Sequence, residues 1–155
     1  MSDNVGSIVG INGNLITVKF DNPVTQSEVG YARTGETALK AEVIRIRGEN
    51  AELQVFEDTT GLKVGDPVEF SGNLLAVELG PGLLAQVYDG LQNPLPKLAE
   101  QCGFFLQRGT YLKALDRAKK WAYTPKARKG DEVTAGDTLG TVPEGIFEHR
   151  IMVPF

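Results

Sequence analysis

Residues Leu74–Leu95, LLAVELGPGLLAQVYDGLQNPL, divide this chain into two kinds of sequence. Leu75, Val77 and Leu79 alternate with Ala76 and Glu78, the period of two expected of a strand with one buried face. Gly80-Pro81-Gly82 stops that run. Pro81 suits the first turn of a helix, where its missing N–H would have no partner anyway. Leu83, Leu84, Val87 and Tyr88 then share one helical stripe, which predicts a short helix ended by Gly90 in the left-handed region. Asn93-Pro94 stops the chain again. Everything before this stretch reads as all-β and everything after it as mixed.

Working back from the junction, Ser7–Ile11 and Leu15–Phe20 read as two strands joined at Asn12-Gly13-Asn14, a strong hairpin signal. Val29–Ala32 and Leu39–Arg47 follow; in the latter, Val43, Ile44 and Ile46 break strict alternation, which predicts a bulge or burial on both faces. Ala51, Leu53 and Val55 point one way along a fifth strand. Leu62–Pro67 turns the chain into a short sixth at Val68–Phe70. Six short strands with no helix between them predict a small barrel over residues 1–70, because an open sheet of this kind would expose two unpaired edges. Ile8, Ile11, Leu15, Val18, Val43, Ile46, Leu53 and Val55 are its expected interior.

Beyond the junction, Pro96–Cys102 predicts a short helix ended by Gly103, and Phe104-Phe105-Leu106 a buried apolar knot. Leu112, Leu115 and Trp121 can share a helical face over Thr110–Trp121. Two similar units, Lys129-Gly130-Asp131-Glu132-Val133 and Ala135-Gly136-Asp137-Thr138-Leu139-Gly140, each turn at a Gly-Asp pair, with Val133 and Leu139 as the apolar residues entering the next strand. The fold class is therefore mainly β with short helices: an N-terminal six-stranded barrel, a strand–helix junction over 71–109, and a third segment over 110–155.

Composition narrows the function. The net charge of −4 argues against a nucleic-acid surface. Lys113, Arg117, Lys119, Lys120, Lys126, Arg128 and Lys129 form the one basic segment, which reads as a solvated face. No apolar run approaches the ~18 residues needed to span a bilayer, and Met1–Asn4 has no signal-peptide character. A single cysteine excludes an internal disulfide and suits a reducing cytoplasm.

The chemical motifs are equally few. There is no Gly-x-x-x-x-Gly-Lys-Ser/Thr loop, and in Gly80-Pro81-Gly82 the proline removes an N–H that a phosphate cradle would use. One Cys and one His cannot make a zinc cluster. A Cys102–His149 pair is formally open, but Cys102 on an apolar helical face reads as an inert core thiol and His149 as a strand surface residue. Asp89, Asp116 and Asp131 show no partner in the sequence. No catalytic, cofactor-binding or metal-binding residue is expected in this chain.

Four stretches resemble the N-terminal part of the catalytic A subunits of V/A-type rotary ATPases. They are Glu57–Val68; Leu75–Leu84 continued by Tyr88–Leu95; Ala114–Trp121; and Lys129–Glu144. On the positions that match, Gly80, Pro81, Gly82, Asp89, Gly90, Pro94, Asp116, Arg117, Trp121, Gly130 and Asp131 are signature residues of structural kind. The resemblance implies that 71–109 begins the nucleotide-binding domain and that 110–155 is the first part of a barrel-sandwich-like insert peculiar to the catalytic subunit. It implies that the whole subunit makes or hydrolyses ATP with Mg²⁺ and couples this to proton or sodium movement across a membrane. The P-loop, the water-activating glutamate and the helical domain of that family lie beyond Phe155, so this segment alone is expected to be inactive. The implied partners are the non-catalytic B subunit, through a crown of barrels, and the peripheral stalk, through the insert. The implied place is cytoplasmic, touching the membrane only through the assembled complex. A cut through the insert implies an unpaired edge from about Lys126 onward, which should fray or pair with another copy.

Two other readings stay open. The Gly-Asp turns resemble those of biotinyl- and lipoyl-type carrier domains, although Lys126 and Lys129 are not at the tip of a tight hairpin and Met152 has no neighbouring lysine. A stand-alone β-barrel binding module is the third.

Overall fold

The computed structural model describes residues 4–154; Met1–Asp3 and Phe155 lie outside the described residues. The chain forms two compact units, one running to Ala76 and taking in Phe105–Thr110, the other comprising Val77–Phe104 and the residues from Tyr111 onward.

The first unit is a closed antiparallel barrel of β1 (Val5–Asn12), β2 (Leu15–Lys19), β3 (Glu28–Thr34), β4 (Thr37–Arg47), β5 (Asn50–Val55) and β6 (Pro67–Leu74). Its strand order is β1-β2-β5-β4-β3-β6, closed by β1 against β6. The β1–β2 turn consists of Gly13 and Asn14, with Asn12 paired to Leu15. Only Gly13 takes a positive φ (61°) there, the arrangement in which glycine comes first in a two-residue hairpin turn. β4 carries the expected bulge, its register to β5 shifting between Val43 and Arg45. A second shift separates Ile8 from Gly10 on β1.

The interior holds Ile8, Ile16, Val18, Leu39, Val43, Leu53, Val55, Val68 and Phe70, with Ala32, Ala41 and Ala51 filling the narrow places. Five of the expected interior residues are there: Ile8, Val18, Val43, Leu53 and Val55. Ile11, Ile46 and Leu15 are not. Ile11 (37% exposed) and Ile46 (36%) pair with the buried Ile16 and Ala51, so the bulges keep them on the inward side, but each is the last residue but one of its strand and stays open to solvent. Leu15 faces outward because strict alternation along β2 gives the interior to Ile16 and Val18. Gly6 and Gly30 have no room for a side chain: a Cβ on Gly6 would lie 2.6 Å from Val18 Cγ1, and one on Gly30 2.9 Å from Leu53 Cδ2.

Outside the ladders, Arg108 Nη1 donates to the carbonyls of Asp58 (2.8 Å) and Thr60 (2.6 Å), and the Gly109 N–H reaches the Glu57 carboxylate. A Cβ on Gly109 would sit 2.8 Å from Thr37 Cγ2. Phe104, Phe105 and Leu106 are 101%, 85% and 73% exposed, not a buried knot. Gly103 (φ 70°) and Gly109 (φ 73°) bend the chain on either side of them and leave them outside both compact interiors.

The second unit contains α1 (Leu95–Cys102), β7 (Thr124–Pro125), β8 (Thr138–Glu144) and β9 (Phe147–Met152), the strands ordered β7-β8-β9. α1 matches its prediction: Pro96 lies in its first turn, Gly103 caps it by donating to the Ala99 carbonyl, and Leu98 is buried. β9 pairs with β8 along its length, and its other side has no partner strand among the described residues.

Two predicted helices are absent, and so is the strand over Leu75–Leu79. Leu83–Tyr88 is a series of turns with Ala85 at φ 60°, a left-handed residue that no α-helix accommodates. Its stripe has nothing to pack on, since Leu84 and Val87 are exposed, and a helix this short does not hold by itself. Gly90 is not left-handed; Gln92 is (φ 64°). Leu75, Val77 and Leu79 are exposed and unpaired to any strand. Thr110–Trp121 is extended with one turn, because side chains capture its backbone donors: the Leu112 N–H goes to Asn93 Oδ1 and the Ala118 N–H to Asp116 Oδ1.

One turn design recurs in both units. In Lys63–Asp66, Arg128–Asp131 and Thr134–Asp137, the aspartate carboxylate accepts the N–H of the residue three before it, at 2.8, 2.8 and 2.7 Å. The preceding glycine takes a positive φ each time (96°, 102°, 88°). Leu139 enters β8 as expected, whereas Val133 lies outside any strand and is exposed.

Candidate functional site

The second unit is held at its centre by polar side chains acting on backbone. Asp89 Oδ1 accepts the N–H groups of Leu91 (2.9 Å) and Asn93 (2.8 Å), and Asp89 Oδ2 accepts Asn93 Nδ2 (2.7 Å). Asn93, itself buried, passes the connection on through Oδ1 to the Leu112 N–H at 2.7 Å. The loop is closed on both sides, by the Tyr88–Pro94 bridge and the Leu95 N–H on the Val87 carbonyl. Gln92 acts as a short piece of strand: its Oε1 accepts the Glu78 N–H at 2.6 Å and its Nε2 donates to the Glu78 carbonyl at 2.7 Å. Arg117 forms an ion pair with the Glu78 carboxylate.

A second centre lies under Gly80-Pro81-Gly82. The buried Glu144, at the end of β8, accepts the N–H groups of Gly82 (2.6 Å) and Leu84 (3.1 Å) on Oε1, and its Oε2 lies 2.8 Å from His149 Nδ1. Burial pushes this carboxyl upward, but the two backbone donors and the His149 bond outweigh it and hold its pKa below the usual glutamate value. A carboxylate so held is a fixed acceptor and not a proton donor near neutrality. Leu115 closes on Gly80, where a Cβ would meet it at 2.9 Å. Trp121 packs on Gly82 (φ 107°), and Lys119 Nζ lies 4.0 Å from the Trp121 ring centroid. A cleft of about 190 Å³ is lined by Pro81, Tyr88, Pro94, Lys97, Asp116 and Trp121. Another of about 330 Å³ lies beside Leu84, Ala85, Glu144, Ile146 and Phe147.

Of the signature residues, Gly80, Pro81, Gly82, Asp89, Pro94, Asp116, Arg117 and Trp121 thus gather around these two centres. Gly90 sits in the turn closed by Asp89. Gly130 and Asp131 form one of the Gly-Asp turns. The three aspartates without a partner in the sequence all have one in the fold, the acceptor role to nearby N–H groups. Glu144, Asn93, Gln92 and the Glu144–His149 pairing went unrecognised in the sequence. Gly82 and Leu84 lie 62 and 60 positions from Glu144, and no local spacing marks such a pair.

Among the described residues no group of three His, Cys, Asp or Glu side chains is placed to hold a metal ion. The sequence has no Gly-x-x-x-x-Gly-Lys-Ser/Thr loop that would cradle a phosphate either. Cys102 is a free thiol, and His149 is engaged by Glu144. No helix is long and apolar enough to cross a membrane among the described residues. The β8–β9 hairpin tip is Gly145-Ile146, with no lysine, so it is not the tip of a biotinyl or lipoyl carrier hairpin.

Residues 8–72 match the beta-barrel domain of the ATP synthase alpha/beta family, and residues 112–155 match the ATP synthase alpha/beta subunit barrel-sandwich domain. The V-type ATP synthase alpha chain of Treponema denticola is 65% identical over 155 residues, all of this chain and 26% of that relative. The V-type ATP synthase alpha chain 1 of Treponema pallidum is 57% identical over the same span. That of Borrelia hermsii is 58% identical over 150 residues, 97% of this chain. The chain spans about a quarter (26%) of the length of each of these curated relatives. With a closed six-stranded barrel ahead of a small second sheet, and these identities along its whole length, the chain belongs to the ATP synthase alpha/beta family and, within it, corresponds to the N-terminal region of the V-type alpha chains.

Proposed function

We propose that this chain is the collar and part of the outer insert of the catalytic subunit of a V-type rotary ATP synthase or ATPase. The whole subunit binds ATP and Mg²⁺ and couples ATP chemistry to the passage of protons or sodium ions across a membrane. These residues serve assembly: the barrel (1–70) joins alternating non-catalytic B subunits in a ring, 71–109 opens the nucleotide-binding domain, and the insert from 110 onward meets the peripheral stalk. The head works in the cytoplasm, joined to the membrane only through the complex. One observation carries this reading, the 65% identity to a V-type ATP synthase alpha chain along all 155 residues.

The physical suitability is clear for the barrel. A barrel without free edges is stiff, so it can hold a ring together while domains joined to it change shape with each nucleotide. The test is reconstitution. Full-length subunit mixed with B subunit should hydrolyse ATP, whereas residues 1–155 alone should not. ATP hydrolysis by residues 1–155 alone would overturn the proposal.

A further inference from the structure

Glu28 and Glu144 are the two buried carboxylates among the described residues. Glu28 serves the barrel, accepting the N–H groups of Thr25 and Gly72. Glu144 differs in that it joins two segments far apart in sequence and is itself met by an ionisable partner. It stands beside the tip of the β8–β9 hairpin, and its two backbone donors belong to the turn that follows Gly80. We propose that Glu144 and His149 form a proton-sensitive latch that fixes the β8–β9 hairpin to the Gly80–Leu84 turn.

The chemistry sets the direction of the response. A neutral imidazole donates to Glu144 only when its one proton sits on Nδ1; the imidazolium always donates there and adds charge to the bond. The latch is therefore tighter with His149 protonated and weakens as the pH rises. Few other charges face His149. On β9 it is flanked by Glu148, which accepts from Thr141 Oγ1 at 2.7 Å, and by the exposed Arg150. Opposite it on β8 is Val142. From the 111–121 segment, Lys119 lines the cleft that Glu144 also lines. Glu144 itself stays ionised into the acid range, because its donors hold its pKa down.

If the hairpin is part of the stalk-facing insert and the turn opens the nucleotide-binding domain, the latch passes load between them; that consequence rests on the proposed function. The latch itself is measured without any ATPase readout. Hydrogen exchange of the Gly82 and Leu84 amides, corrected for the intrinsic pH dependence, should be several-fold slower at pH ~6 than at pH ~8 in the unaltered chain. Glu144→Ala should speed both amides by about tenfold or more and abolish the pH difference. His149→Gln should leave the two backbone bonds, raise exchange less, and also abolish the pH difference. Unchanged exchange at Gly82 and Leu84 in Glu144→Ala, or a pH difference that survives in His149→Gln, overturns the latch. If Glu144→Ala loosens Leu91 and Asn93 equally, Glu144→Gln decides, since it keeps an acceptor oxygen and removes the charge. A selective rise at Gly82 and Leu84 in that variant supports the latch and no rise overturns it. A failed reconstitution with B subunit would sink the proposed function and leave these exchange results standing.

Discussion

The barrel and the second unit fix their backbones by opposite means. In the barrel the ladders satisfy the backbone and apolar side chains fill the inside, so Ile16, Leu53 and Phe70 reach 0% exposure. In the second unit regular structure is scarce, and carboxylates and amides take its place: Asp89, Gln92, Asn93 and Glu144 each occupy backbone N–H groups that a helix or sheet would otherwise have paired. Its buried apolar residues among those described are Pro94, Leu98 and Val142. Apolar burial therefore does most to hold one unit together, and hydrogen-bond satisfaction the other. The single tryptophan, Trp121, lies in the second unit, so its fluorescence follows that unit while far-UV circular dichroism follows the strands of the barrel.

The largest expected effect falls on the barrel. Leu53→Ala should cost about 2–5 kcal/mol by deleting a fully buried side chain, read as a lower denaturant midpoint by circular dichroism. An unchanged midpoint would mean that the barrel is not held by its interior. Gly6→Ala comes next, at about 1–3 kcal/mol, since its new methyl would press on Val18 and on the Lys19 carbonyl.

For the second unit, Asp89→Ala should cost about 1–3 kcal/mol by orphaning the N–H groups of Leu91 and Asn93. It should shift the Trp121 transition and leave the barrel transition in place; a shift of both together would show that the two are one cooperative system.

Acid should separate the units in the same way. Glu144 has a folded pKa below its ordinary 4.5, so the stability it contributes is present above that value and is lost as the pH falls through the folded one. Asp137 is shifted in the same direction by the Thr134 N–H and hydroxyl. Asp58 and Glu69 of the barrel unit are lowered as well, but they lie on its surface, whereas Glu144 is buried, so the Trp121 signal should change with acid before the barrel's circular dichroism does. The smallest effect is expected at the Arg33–Glu69 pair on the barrel surface. Its bidentate bonds (3.0 and 2.8 Å) raise the arginine and lower the glutamate pKa, but with both side chains about two-fifths exposed, Glu69→Gln should cost under ~1 kcal/mol.

The same contrast explains what could be read from the residues. Alternation of period two is a local signal, and it located all six barrel strands, the β4 bulge and the Asn12–Leu15 hairpin. It placed Ile11 and Ile46 in the interior, and they do pair with the buried Ile16 and Ala51, but alternation carries no sign that both lie next to the ends of their strands, where solvent reaches them. In the second unit the helical stripes at Leu83–Tyr88 and Leu112–Trp121 were real patterns that lost to distant acceptors. Leu112 gives its N–H to Asn93, 19 positions away, and Leu84 gives its own to Glu144. Local pattern succeeds where the backbone satisfies itself, and fails where a side chain from elsewhere does so. The signature residues carried the resemblance without disclosing their work; only the fold shows Gly80 and Gly82 as the places where Leu115 and Trp121 come to rest.

The barrel closes by joining its first strand to its last, Val5 opposite Glu69. On a ribosome this imposes an order of events. The β1–β2 hairpin can form early, but the outer side of β1 must wait, unpartnered, until β6 has been translated and has cleared the exit tunnel. A synonymous change that alters ribosome pausing in the codons for residues 56–74 would lengthen or shorten that wait, and so alter the yield of soluble chain without changing a single amino acid.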